Sequence, residues 1–100
     1  MILEGVVLFV KKGKTKDFEL DFIKASQYIS AVEGYLSHTL QKCLEIDNKY
    51  LLLVEWNTLE SHTIGFRESS AYLQWKELLH HYYEPFPIVE HFKTVYSNKK

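Results

Sequence analysis

The side chains best equipped for chemistry are bunched in the middle of the chain. The stretch Val54–Trp75 holds both tryptophans, Trp56 and Trp75, the only arginine, Arg67, and one of the five histidines, His62. Helical spacing puts Leu59, His62 and Phe66 on one face, so His62 turns inward beside two large apolar groups. Two roles are open to it there: a core histidine satisfied by a backbone carbonyl, or the polar anchor and proton acceptor of a cavity. Arg67 follows at the kink before the next helical run. It either closes that kink against carbonyls or Glu68, or grips an anionic or enolate oxygen of a ligand. Next, Tyr72, Trp75, Leu79 and Tyr82 form one stripe, with Ala71 and Leu78 beside it. Such a stripe is ordinary core packing, or else the wall of a site for a planar aromatic ligand, because phenols and indoles are flat and carry polar handles.

The remaining candidates are weaker. His80 and His81 lie off the aromatic stripe and read as surface or rim groups; neighbouring helical residues diverge, so the pair is no metal motif. His38 falls on one expected strand and His91 on another, and either could join His62 in space. There is no glycine-rich phosphate loop, no G-x-S-x-G elbow, no C-x-x-C and no dinucleotide fingerprint. Neither a metal nor a cofactor is expected.

These residues need elements to position them. Ile2–Val10 is β-branched and apolar and reads as a strand, broken by "KKGK". From Thr15 to about Val32, Phe18, Phe22, Ala25, Ile29 and Val32 recur at helical spacing, and Gly34 stops the helix. Tyr35–Ile46 alternates as a second strand, and Tyr50–Trp56 is a third. Asn57 followed by Glu60 resembles an N-cap box for a short helix over Leu59–Phe66. Ser69 or Ser70 caps a further helix reaching about Tyr83, which "EPFP" ends, and Ile88–Tyr96 is a last strand. The order β-α-β-β-α-β is the ferredoxin-like, α+β arrangement with a four-stranded antiparallel sheet. Residues 1–97 make a single domain and 98–100 a solvated tail.

Helices in this arrangement cover one sheet face, yet the strands are apolar on both. Leu51 and Leu53 oppose Leu52, Val54 and Trp56, while Leu3, Val7 and Phe9 oppose Ile2, Val6 and Leu8. The economical cover for the second face is a second copy, a homodimer packed sheet to sheet. Leaving five or six such side chains wet would forfeit on the order of 10 kcal/mol, comparable to the stability of a small domain. The net charge of −1, with eleven scattered lysines and one arginine, argues against a nucleic-acid platform. No run approaches the length of a membrane span. Cys43 is the only cysteine, which fits a reducing cytoplasm.

The runs "YLLLVEW", "LESHTIGFRESSAYLQWKELL" and "YYEPFPIVEHF" resemble the antibiotic biosynthesis monooxygenase domain, from about Tyr50 to Phe92; the first half agrees in element order. The resemblance implies a dimeric α/β barrel with one cavity per subunit. It also implies cofactor-independent oxygenation of a small aromatic or carbonyl metabolite, or a non-catalytic small-molecule sensor on the same dimer. In such oxygenases the protein deprotonates a phenol or enol and holds the anion beside O₂ in a dry pocket. On that pattern Trp56, Phe66, Tyr72 and Trp75 are walls, His62 the base and Arg67 the anion partner. Asn57 lies where these oxygenases carry an asparagine near the pocket. Haem-degrading members resemble the chain less: their strand-one asparagine falls at Val6 and Val7, and their haem-ligating histidine falls near Lys76.

Overall fold

The computed structural model describes Met1–Lys100. Its elements are β1 (Ile2–Phe9), α1 (Thr15–Ile29), β2 (Tyr35–Lys42), β3 (Lys49–Trp56), a π-helical turn (Ser61–Phe66), α2 (Ser70–Leu79), a 3-10 turn (His80–Tyr82) and β4 (Val89–Phe92). The strands form one sheet in the order β2-β3-β1-β4, and every pairing is antiparallel. The expected α+β ferredoxin-like arrangement is therefore the observed one.

The helical period expected of α1 is realised, since Phe18, Phe22, Ala25 and Ile29 are its buried residues. The helix stops at Ile29 rather than Val32 because the next turn tightens. Ala31 and Val32 donate to Tyr28 and Ile29, three residues back. Gly34 then reverses the chain at φ +89°, in the left-handed region. It also sits so close to Ser61 that an added Cβ would collide with that hydroxyl. The Gly34 carbonyl accepts from the backbone N–H of Asn57 at 2.7 Å. This pins the end of β3, and the π-helical turn after it, to the turn after α1.

The sheet's inner face carries the core. Val6 and Leu8 from β1, Val10 just after it, and Tyr50, Leu52, Val54 and Trp56 from β3 are buried against Phe18, Phe22, Ile29, Phe66, Trp75 and Leu79. The opposite face presents Leu3, Val7, Phe9, Leu51, Leu53 and Phe92, which line an open apolar groove of about 540 Å³. Val7 there is 42% exposed and Leu51 39%. This is the second apolar face that the strand pattern predicts, open in the single chain.

Three further boundaries differ from expectation. β2 ends at Lys42, because Cys43 to Asn48 make the turn into β3. β4 ends at Phe92, which pairs with Leu3; β1 begins one residue earlier, at Ile2, so a longer β4 soon runs out of partner. α2 gives way at His80 to a 3-10 turn that passes Tyr83 back toward β1, where Val10 bridges Tyr83.

Candidate functional site

A cavity of about 410 Å³ opens between the inner sheet face and α2. That lies within the range of roughly 300–1,000 Å³ typical of small-molecule sites. Val6, Leu8 and Leu52 supply its apolar floor, Phe66, Tyr72 and Trp75 one wall, and His80, Tyr83 and Phe86 another. Its polar groups are Glu4, His62, Arg67, His80 and the two phenols.

Glu4 is the residue that anchors this arrangement. Alternation along β1 puts its side chain on the same face as Val6 and Leu8, and only 5% of it is exposed. Its Oε1 accepts a hydrogen bond from Trp56 Nε1–H at 2.9 Å. The same oxygen stands 3.4 Å from His62 Nε2, long for a hydrogen bond. Its other oxygen, Oε2, makes no hydrogen bond within the chain. Burial pushes the carboxyl pKa up, while the Trp56 bond and the Arg67 charge pull it down. A carboxyl so placed is a stronger base than one in water.

His62 is held from both sides. Its Nδ1 lies 2.8 Å from His91 Nε2. Its ring stacks on Trp56 at 5.3 Å between centroids, 20° from parallel. Burial, reinforced by the positive field of Arg67 and by His91, lowers its pKa to about 3, so the ring is neutral at physiological pH. The π-helical turn explains its setting. Arg67 N–H bonds to His62 carbonyl, five residues back, at 3.1 Å. The widened turn buries His62 and Phe66 and leaves Leu59 39% exposed, so the three-residue face expected from ideal spacing is only partly formed.

Arg67 makes no hydrogen bond or ion pair with any other side chain, and Glu68 is not its partner. It lines the cavity as an unpaired cation. His80 also lines the cavity, against the rings of Tyr72, Tyr83 and Phe86. Burial and nearby Lys76 lower its pKa to about 4. Burial raises the phenol pKa of Tyr83.

The structure thus brings His62, Phe66, Arg67, Tyr72 and Trp75 to one cavity. Trp56 stands behind it: fully buried, it holds Glu4 and backs His62 without lining the space. Asn57 is outside. It is exposed at the end of β3. Its side chain does not cap the helical turn either, because the Ser61 N–H is accepted by Thr58 Oγ1 at 3.1 Å. The cap is shifted one residue along because the turn begins later than the Asn57–Glu60 pattern implies. His91 joins His62, whereas His38 bonds Tyr35 and Ser26 elsewhere. The π-helical turn and Glu4 escaped the pattern reading. The signal for Glu4 was a lone acid in an apolar strand, in phase with Val6 and Leu8.

The candidate site is thus a cavity between a ferredoxin-like sheet and the helices on one of its faces, holding a buried acid, a neutral imidazole and a free guanidinium. The model of the antibiotic biosynthesis monooxygenase family matches residues 1–78, and the chain belongs to that family. An uncharacterised protein of Bacillus subtilis strain 168, YczJ, is 54% identical over 95 residues, covering 95% of this chain and all of that protein. Among solved structures, one from Bordetella bronchiseptica assigned to the same family superposes with a TM-score of 0.90 at 27% identity, covering 95% of this chain and 97% of that one. SnoaB of Streptomyces nogalater, a cofactor-independent oxygenase, superposes with a TM-score of 0.83 at 17% identity, covering 99% and 98%; at that identity the likeness concerns the fold.

Proposed function

We propose that the chain is a cofactor-independent monooxygenase of a small aromatic or carbonyl metabolite bound between sheet and helices. The observation that carries this reading is the buried Glu4 carboxylate on the cavity lining, with one oxygen held by Trp56 and the other uncommitted. Glu4 and His62 together form the base: the carboxylate, held by Trp56, accepts the proton, and the neutral imidazole stands beside it to take it on. Arg67 partners the resulting anion, and Phe66, Tyr72 and Trp75 flank its rings. A neutral His62 leaves Arg67 as the dominant positive charge for an enolate.

The substrate class is an acidic CH₂ conjugated through aromatic rings to a ketone, as in an anthrone. Loss of one C–H proton to the base gives the carbanion. Its electrons pass to O₂, a C–O bond forms, and protonation gives a hydroperoxide. Loss of the second C–H proton with cleavage of O–O leaves the carbonyl, and the departing hydroxide and proton leave as water. The working unit in this proposal is a homodimer in the cytoplasm, closed over the apolar outer face that holds Val7, Leu51 and Leu53.

A second reading, a non-catalytic small-molecule sensor, draws support from one observation: both ring nitrogens of His62 already face partners within the chain. Oxygen consumption with anthrone separates the two. The oxygenase reading expects uptake that Glu4→Gln or His62→Ala abolishes, while tight binding of anthrone without uptake selects the sensor.

A further inference from the structure

We propose that His91 is the outlet of a proton relay, Glu4–His62–His91, that connects the cavity to the edge of the sheet. The inference rests on reading the cavity as an acid–base site and adds a residue that does not itself line the cavity.

The geometry has a direction. β4 is an edge strand, and His91 pairs directly with Glu4 across β1 and β4. Both side chains therefore lie on the inner face, one deep and one at the border. His62 stands between them, 3.4 Å from Glu4 Oε1 and 2.8 Å from His91 Nε2. Glu4 and His62 are 5% and 3% exposed, whereas His91 is half-buried and its Nδ1 makes no hydrogen bond within the chain. The three groups form a path from buried to solvated.

The two imidazoles meet nitrogen to nitrogen, which requires one to donate and one to accept. Either direction satisfies the same geometry, so a proton can shift along the pair without moving heavy atoms. The substrate C–H bond breaks and its proton joins Glu4 Oε2. A half-turn of the carboxyl exchanges its oxygens, and Trp56 N–H bonds the other one. The O–H then faces His62 Nε2. As Nε2 takes that proton, the Nδ1 proton passes to His91 Nε2 and the His91 Nδ1 proton leaves to water. The reverse passage resupplies a proton when the peroxide forms. Both rings are kept neutral, His62 by burial and Arg67, His91 by the same two causes, so neither traps the proton as a stable imidazolium.

If His91 were purely structural, glutamine would replace it, since its side-chain amide can accept from or donate to His62 Nδ1 but cannot pass a proton through. With anthrone as substrate, His91→Gln is expected to lower kcat about tenfold with KM unchanged, within the range of proton-transfer effects. Added imidazole should restore kcat in proportion to its free-base concentration. Independently of turnover, exchange of the His62 ring N–H with water, followed by nitrogen-15 NMR, should slow about tenfold in both His91→Gln and His91→Phe, since the exit is closed. Unaltered exchange in both variants overturns the relay, as does a loss of kcat that imidazole leaves in place. If the wild type fails to oxidise anthrone, the oxygenase reading falls, and the exchange measurement alone decides the relay.

Discussion

Lowering the pH from 7 to 5 is expected to destabilise the fold chiefly through His62. The ring is 3% exposed and titrates at about 3 in the folded chain, against an ordinary value of 6.5. At pH 5 the unfolded chain therefore binds a proton there and the folded chain does not. The difference spans about 1.5 pH units and costs about 2 kcal/mol. His80, lowered to about 4, acts in the same direction, but its partial solvation reduces its share. Glu4 acts oppositely. Its raised pKa means a contribution fully present below the ordinary 4.5 and lost as pH rises through the folded value. For a domain of this size about 2 kcal/mol corresponds to a fall of roughly 10 °C in Tm. Thermal unfolding followed by circular dichroism at pH 7, 6 and 5 measures it. In His62→Gln the slope should flatten, whereas Glu4→Gln should raise Tm at pH 7 and steepen the fall. A Tm that is level between pH 7 and 5, or a slope undiminished in His62→Gln, would refute the assignment of His62 as a buried neutral imidazole.

Other outcomes follow from single contacts. Arg67→Ala should leave Tm nearly unchanged, because the guanidinium bonds nothing in the chain, yet weaken binding of a phenolate probe such as a hydroxyanthraquinone by about tenfold or more, measured by absorbance titration. Gly34→Ala should cost about 2–4 kcal/mol in urea unfolding, combining left-handed strain with the clash against Ser61. Placing charge on the outer face with a Val7→Lys, Leu51→Lys double substitution should convert a sedimenting dimer to a monomer; a monomeric wild type would contradict the proposed assembly.

The fold was legible because apolar periodicity decided it. The Phe18, Phe22, Ala25, Ile29 stripe and the two-faced strands β1 and β3 each admit one arrangement, and the packing realises it. Much of the cavity lining was legible for the same reason, since His62, Phe66, Tyr72 and Trp75 point inward by helical phase. What stayed hidden depends on register and on local departures from ideal geometry. Glu4 and His91 become neighbours only through the antiparallel pairing of β1 with β4, which no spacing along the chain reveals. The π-helical turn uses the residues an α-helix would use and differs by one hydrogen-bond step, so Leu59 rotated out of the face assigned to it. Asn57 has the composition of a cap, but Thr58 holds the position that bonds. The end of β4 is set by where β1 begins, a fact about its partner rather than about "KTVY".

The central claim is that the Glu4–His62 base, set beside Arg67, lets the substrate itself reduce oxygen. Isotope labelling tests it most directly: chelator-treated protein is incubated with anthrone under ¹⁸O₂, and the product and solvent are analysed by mass spectrometry. The account predicts one labelled oxygen in the new carbonyl and the other in water, with the rate lost in Glu4→Gln. A product whose new oxygen comes from solvent, or a labelled product formed as fast by Glu4→Gln as by the wild type, would contradict it.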